Sequence, residues 1–94
     1  MVLDALGDGT RRSILERLAA GPLAVGVLAD QLPISRPAVS QHLRVLKEAE
    51  LVVDSVVGTR HVYRINRSGL MAVREYLDRF WEGHAGQLRD SRRG

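Results

Sequence analysis

The sequence contains no cysteine, which excludes disulfide bonds, thiolate metal sites and thiol redox switching. It also lacks any apolar run that approaches the length of a membrane span. The opening residues, MVLDALGD, have neither the basic region nor the apolar core of a signal peptide. We therefore expect a soluble, cytoplasmic protein with no membrane partner.

Patterns typical of catalysis are missing as well. No spacing pairs a nucleophile with a base, surrounds a phosphate with glycines or brings two carboxylates into one pocket. The sequence thus predicts a protein that is not an enzyme and that needs no cofactor or metal.

Repeats, low-complexity tracts and linkers are also absent, so residues 1–94 are expected to form a single domain. A chain of 94 residues buries only a modest core, and an additional interface between subunits would help it. The net charge of +3 and the pI of about 10.2 suit a polyanionic partner without proving one.

The most informative stretch, about residues 24–49, holds two short amphipathic patterns joined by a tight break. The first pattern ends at Pro33, and the second begins near Arg36. Ser35 has the side chain of an N-cap, and Pro37 occupies the first turn, where a missing N–H costs nothing. This arrangement predicts a helix-turn-helix.

The second helix of this pair has two contrasting faces. A period of about 100° per residue puts Val39, Leu43 and Leu46 on the core side. An opposite arc of roughly 140° is polar and basic; its members are Arg36, Pro37, Ser40, Gln41, Arg44 and Lys47. Such a face allows short polar groups to approach base edges and long cations to reach phosphates in a major groove. An ordinary solvated helix face is the alternative, and the preceding short helix favours DNA binding.

A change to extended periodicity follows the helix-turn-helix. Valine-rich residues 51–57, a turn at residues 58–60 and residues 61–66 predict a β-hairpin, which beside a helix-turn-helix forms a wing. The candidate DNA contacts at its tip are Thr59, Arg60 and His61. Arg60 is the strongest of them, because a narrow minor groove attracts a guanidinium. A solvent-exposed hairpin tip is the alternative.

The remaining segments predict three more helices. Val2–Leu6 forms a short apolar turn, Asp8 caps a helix over Gly9–Ala20, and Ser68 caps a last helix that extends to about residue 90. The predicted fold is α+β and mainly α: a winged helix-turn-helix with about five helices and a two-stranded hairpin wing before the last helix.

The last helix carries an apolar stripe within about 100° of its circumference that is too large for so small a core. Together with the first turn it predicts a subunit interface, whose candidate residues are Val2, Leu3, Leu6, Leu70, Val73, Leu77, Phe80, Trp81, His84 and Leu88. Packing of the stripe against the second helix of the same chain is the alternative.

Four segments together resemble one family. DGTRR at 8–12, VGVLA at 25–29, SRPAVSQHL at 35–43 and GTRHVYR at 58–64 are similar to the ArsR/SmtB winged helix-turn-helix repressors. The resemblance covers nearly the whole chain and implies a homodimer that binds near-palindromic operator DNA and leaves it when a signal arrives. Matching positions imply dimer contacts on the first and last helices and DNA contacts at Ser35, Arg36, Ser40, Gln41, Arg44 and Arg60.

Three departures from the family pattern stand out. Gly9 replaces the proline usual after the capping Asp8, which loosens the start of that helix. Glu50 occupies a position usually held by glycine, so we expect a local backbone anomaly there. The cysteines, or the spaced acidic and histidine ligands, of the family's metal sensors are missing.

The histidines leave one metal hypothesis open. We expect His42 to be structural and His84 to pack within the stripe, although two copies of His84 near Asp78 or Glu82 at a dimer axis could hold an ion or respond to pH. The main hypothesis is a dimeric, sequence-specific regulator of transcription, a repressor in its mode of action. The alternatives are a winged-helix protein-interaction module and a metal-responsive repressor with a histidine and carboxylate site. The effector is unknown.

Overall fold

A computed structural model describes the backbone of residues 2–93 and the side chains of residues 2–82. The elements in chain order are α1 (Val2–Leu6), α2 (Gly9–Ala19), β1 (Leu23–Ala24), α3 (Val25–Gln31), α4 (Arg36–Glu48), β2 (Val52–Val57), β3 (Arg60–Ile65) and α5 (Arg67–Arg93). The predicted winged helix-turn-helix is confirmed. No helix in the described part of the chain is both long and apolar enough to cross a membrane.

The core lies among the first four helices, the start of β2 and Tyr63 of β3. Val39, Leu43 and Leu46 have no exposed surface, which confirms the predicted inward face of α4. Ile14 from α2 and Leu28 from α3 are equally buried in the same cluster. The core side of α4 therefore fixes which side of this helix faces outward.

The sheet is larger than the sequence predicted. Its antiparallel strands lie in the order β1-β3-β2, so a third, two-residue strand joins the predicted hairpin. Leu23 pairs with Tyr63 in β3. Two residues are too few for an alternating pattern, and only the tertiary contact with β3 defines them as a strand. The hairpin closes through Gly58 and Thr59, and Gly58 has the positive φ of 64° that such a tight turn favours.

Two predicted helix caps are confirmed. The Asp8 carboxylate accepts hydrogen bonds from the backbone N–H groups of Thr10 at 2.8 Å and Arg11 at 3.1 Å. The Ser35 hydroxyl accepts one from Ala38 at 3.3 Å. Each cap satisfies donors that the first turn of a helix leaves unpaired.

The exit of α4 contains the expected anomaly. Glu50 has a φ of 62° and is the one non-glycine residue with positive φ in the described backbone. The N–H of Leu51 donates to the carbonyl of Leu46 at 3.0 Å, and the N–H of Glu50 donates to that of Lys47 at 2.9 Å. This pair of bonds is the Schellman motif, which requires a left-handed residue at the position of Glu50.

The start of α5 differs from the prediction. The helix begins at Arg67, so the predicted N-cap role of Ser68 is wrong. The side-chain amide of the preceding Asn66 donates to the Glu50 carbonyl at 2.8 Å. A Cβ on Gly69 would lie only 1.7 Å from that same oxygen. The beginning of α5 is therefore set by its contact with the exit of α4, which no local pattern encodes.

Two arginines hold α1 against the rest of the fold. Arg11 donates to the carbonyls of Ala5 at 2.8 Å and Asp4 at 3.2 Å, and Arg12 donates to that of Leu6 at 2.7 Å. A guanidinium nitrogen of Arg11 also lies 3.5 Å from Nδ1 of His42 on α4. The carbonyls at the end of this five-residue helix thus find partners, and His42 takes part in structural contacts.

Candidate nucleic-acid interface

The outward face of α4 is polar, basic and open to solvent. Every side chain that the sequence assigned to DNA contact on this helix is exposed: Arg36, Pro37, Ser40, Gln41, Arg44 and Lys47. The opposite face is fully buried. Because α4 is anchored by its core side, these six side chains lie together on one convex surface.

At the amino-terminal end of α4, this surface borders α3. Ser35 is exposed while its hydroxyl caps α4, so it lies at the edge of the face. The guanidinium of Arg36 lies over the first turn of α3, where a Cβ on Gly26 would be 3.8 Å from Nη1. The Arg36 side chain thus extends from the start of α4 to the start of α3.

Arg44 is loosely paired within its own helix. Its Nε lies 3.7 Å from a carboxylate oxygen of Glu48, and both side chains are at least 70% exposed. Exposed pairs of this kind contribute little to stability. Arg44 can therefore leave Glu48 for a phosphate at small cost.

The wing tip is exposed at all three predicted positions, Thr59, Arg60 and His61. The end of β2 beside it is apolar and open, with Val56 at 72% and Val57 at 60% exposure. The exposure of these valines was not predictable from the sequence, since alternation along a strand does not show which end leaves the core.

One carboxylate, which was not predicted from the sequence, links the wing to α4. Asp54 Oδ1 lies 2.9 Å from the ammonium of Lys47, and its Oδ2 is hydrogen-bonded to Nε2 of His61. Two of the predicted DNA contacts, Lys47 and His61, are thus partners of the same acid. The hairpin register indicates one of these two contacts, that between Asp54 and His61. His61 is opposite Val56 and is therefore diagonal to Asp54 on the same face. The approach of Lys47 depends on how α4 packs on the hairpin.

The pKa shifts of Asp54 and Lys47 both reflect the contact between these two side chains. Hydrogen bonds from His61 and then Lys47 lower the pKa of the Asp54 carboxyl below its usual 3.8. The same contact raises the pKa of the Lys47 ammonium above 10.5. Burial raises the pKa of the neighbouring Tyr63 hydroxyl above 10.0. Asp54 and Lys47 are therefore both charged at neutral pH.

The residues predicted for the dimer interface divide into two groups. Val2, Leu6, Leu70 and Val73 are partly buried against the chain's own core. The others with described side chains are open to solvent: Leu3, Leu77, Phe80 and Trp81, each between 46% and 50% exposed. The side chains of His84 and Leu88 lie outside the described residues. Tyr76, 49% exposed, adjoins the stripe and was not predicted.

An apolar cavity of about 240 Å³ lies between α1, the end of α4 and α5. Val2, Leu3, Val73 and Tyr76 contribute to its walls, so it borders the same exposed stripe. Among the described side chains, no three histidine or acidic residues come together as a metal site.

Comparison with known proteins defines the class. The helix-turn-helix domain family matches residues 6–55, a range that holds α2, α3, α4 and most of β2. The chain belongs to the ArsR-type winged helix-turn-helix regulators of transcription, a DNA-binding family. This confirms the resemblance seen in the sequence and the prediction that the protein is not an enzyme.

Individual relatives cover most of the chain. The HTH-type transcriptional regulator Rv2034 of Mycobacterium tuberculosis is 68% identical over 77 residues, which are 82% of this chain and 72% of the relative. The transcriptional repressor SdpR of Bacillus subtilis is 39% identical over 73% of this chain and 77% of its own length. The homodimeric winged helix-turn-helix domain Mb0332 of Mycobacterium bovis, a possible ArsR-family regulator, has a TM-score of 0.68 at 34% identity, with 88% of this chain and 81% of that one covered.

Proposed function

We propose that the protein is a homodimeric, sequence-specific repressor that binds double-stranded DNA by inserting α4 into the major groove. The single observation that carries this proposal is that α4 has one buried side and one exposed side. Its apolar side is fully buried, whereas its cationic and hydroxyl-bearing side is exposed along its whole length. A helix presented in this way fits the width of the major groove of B-DNA.

The side chains on this face divide by reach. Ser40 and Gln41 lie in the first half of α4 and are short enough to hydrogen-bond base edges. Arg44 and Lys47 follow in the second half, where long cationic side chains reach phosphates. Arg60 at the wing tip extends the contact to a neighbouring minor groove.

Dimerisation through α1 and α5 is supported by the exposed apolar side chains of Leu3, Leu77, Phe80 and Trp81. The homodimeric state of the Mycobacterium bovis relative points the same way. A two-fold axis between subunits implies a near-palindromic operator whose half-sites are about one helical turn, or a multiple of it, apart. Repression is supported by the likeness to SdpR, a transcriptional repressor. Such a protein acts in the cytoplasm.

Selection of bound sequences from a random duplex library tests the proposal. The expected result is an enriched site with two-fold symmetry. Repeating the selection with Ser40→Ala and Gln41→Ala identifies the base contacts, each of which is expected to cost about 1–3 kcal/mol and to relax preference at one position. Arg44→Ala is expected to weaken binding to every sequence alike, because a phosphate contact carries no sequence information.

Arg74 provides a matched control. It is an exposed arginine with an i,i+4 acidic neighbour, as Arg44 is, but it lies on α5. Arg74→Ala is expected to leave DNA affinity unchanged. A library that yields no enriched sequence, or equal losses for Arg44→Ala and Arg74→Ala, would overturn the assignment of α4 and favour a protein-interaction module.

A further inference from the structure

We propose that Asp54 is a positioning residue that fixes the wing against α4 and thereby makes DNA binding more selective. This inference rests on the proposed function, because selectivity is defined only for a DNA-binding protein. It adds a role for an acidic residue in a surface otherwise described by its cations.

Asp54 lies at a junction of three elements. Asp54 lies on β2, Lys47 in the last turn of α4, and His61 on β3 next to the wing tip. One carboxylate oxygen accepts from the ammonium of Lys47 at 2.9 Å, and the other is bonded to Nε2 of His61. Both oxygens are therefore engaged, one with α4 and one with the wing.

Burial strengthens this connection. The Asp54 side chain is only 17% exposed, compared with 55% for Lys47 and 44% for His61. Interactions of a carboxylate that is shielded from solvent are screened less than those of a fully exposed pair. The imidazole of His61 also contacts the ring of Tyr63, with centroids 4.7 Å apart, and Tyr63 is itself part of the core. The cluster is thus anchored to the interior of the protein.

The orientation of the wing matters because α4 and the wing contact different parts of a duplex. With the angle between them fixed, base contacts from α4 and groove contacts from the wing form together only on DNA of the right shape. A wing that moves freely can adapt to any duplex. The connection through Asp54 therefore favours the correct site over others.

Charge acts in the same direction. Each phosphate neutralised by a cation adds about 0.9 to the slope of log affinity against log salt concentration, and this attraction is independent of sequence. The ion pair with Asp54 competes with phosphate for Lys47 and so weakens that attraction. Selectivity is a difference between affinities, and it increases when binding to the wrong sequences weakens.

The test compares Asp54→Asn with Glu48→Gln. Both variants remove one negative charge next to the DNA-binding face, but only Asp54 connects α4 with the wing. Affinity is measured for the selected operator and for a random duplex of equal length over a range of salt concentrations. Far-UV circular dichroism confirms that each variant is folded.

For Asp54→Asn we expect tighter binding to the random duplex, a salt slope steeper by about 1, and a ratio of specific to random affinity lower by about fivefold or more. For Glu48→Gln we expect both affinities to change by the same factor, with the ratio unchanged. Equal ratios in the two variants would overturn the proposal.

A second measurement without DNA keeps this inference separate from the proposed function. Amide hydrogen exchange in β2 and β3 is expected to become faster in Asp54→Asn and in Lys47→Met, since each removes the ion pair between Asp54 and Lys47, and to stay unchanged in Glu48→Gln. Unchanged exchange in both link variants overturns the role of Asp54 whether or not the wild type binds DNA. If exchange becomes faster but the wild type binds all duplexes equally, the positioning role stands and the proposed sequence-specific function fails.

Discussion

Glu50 adopts a backbone conformation that costs a residue with a side chain about 1–2 kcal/mol. The conformation persists because the chain turns sharply from α4 into β2 at this point. Backbone hydrogen bonds from Glu50 and Leu51 close the end of the helix, and Asn66 binds the Glu50 carbonyl. The strain is therefore maintained by contacts on both sides of the residue.

Glu50→Gly is expected to raise the free energy of unfolding by about 0.5–1 kcal/mol, because glycine adopts positive φ without steric cost. The gain is smaller than the relieved strain, since glycine also increases the entropy of the unfolded chain. Urea denaturation measures the change. Glu48→Gly, two residues earlier and still helical, is expected to lower stability by about 1 kcal/mol. A loss for Glu50→Gly would show that its side chain contributes more than its conformation costs.

Gly69→Ala is expected to destabilise the protein by about 3 kcal/mol, the upper range for overpacking. The added Cβ would lie 1.7 Å from the Glu50 carbonyl oxygen and 2.8 Å from its carbon, so backbone has to move. Gly26→Ala is the control, because Gly26 is also helical but its new Cβ would meet nothing closer than 3.8 Å. That variant is expected to be neutral or to gain up to about 1 kcal/mol. Similar thermal midpoints for the two variants would contradict the observed approach of α5 to Glu50.

Acidification is expected to destabilise the fold through Asp8 and Asp54. Backbone hydrogen bonds, first from Arg11, lower the pKa of Asp8, and His61 and Lys47 lower that of Asp54, in each case below 3.8. Because both folded-state values are depressed, the stabilisation is complete above the unfolded pKa and is lost as the pH falls through the folded one.

Urea unfolding at a series of pH values from 7 down to 2.5 measures this effect. Asp54→Asn and Asp8→Asn are each expected to flatten the acid limb of the curve. Asp30→Asn, which removes an exposed carboxyl near the end of α3, is the comparison variant for the change in charge. A wild-type curve that is flat below pH 4 would contradict the contribution of both carboxylates.

At the scale of elements, α5 has a divided role. Leu70 and Val73 near its start pack on the core, whereas Leu77, Phe80 and Trp81 further along are about half exposed. An apolar surface of this kind is costly in water unless another surface covers it. The second half of the helix is therefore the part that we propose to form the dimer interface.

The double variant Phe80→Ala, Trp81→Ala is expected to weaken the proposed dimer by tenfold or more, because large aromatic side chains dominate interface energies, with single hot spots worth about 2 kcal/mol. Sedimentation equilibrium measures the dissociation constant. Met71→Ala is the matched control, since Met71 is 52% exposed on the same helix but lies about 120° from the centre of the stripe. Its removal is expected to leave association unchanged. A double variant that associates like the wild type would mean that α5 is not the interface.

At the scale of the whole molecule, a net charge of +3 gives the chain a general attraction to polyanions. Lys47 of α4 and His61 of the wing lie close together, because both bind Asp54. Affinity for DNA is accordingly expected to fall steeply with salt.

Arg60→Ala is expected to lower the magnitude of the salt slope by about 1 and to weaken binding to all sequences. Arg64, an exposed arginine on the same strand but four residues from the tip, is the control. Arg64→Ala is expected to leave the slope unchanged. Equal effects of the two variants would indicate that the wing acts only through net charge and makes no groove contact.

Local sequence determined much of this protein by itself. Asp8 and Ser35 cap α2 and α4 through hydrogen bonds that span two or three residues, and the apolar spacing of α4 alone defines its buried face. Such signals are available in sequence because the interacting groups are neighbours in the chain. The left-handed position of Glu50 was expected on a different ground, the resemblance to a family that usually has glycine there.

The other features of the fold and of the candidate site depend on contacts between distant parts of the chain. The pairing of β1 with β3, the start of α5 at Arg67 and the link from Lys47 through Asp54 to His61 all join residues that are distant in the chain or in different elements. None of these contacts repeats with a helical or strand period. They depend on how packed elements approach one another, and that geometry exists only once the core has formed.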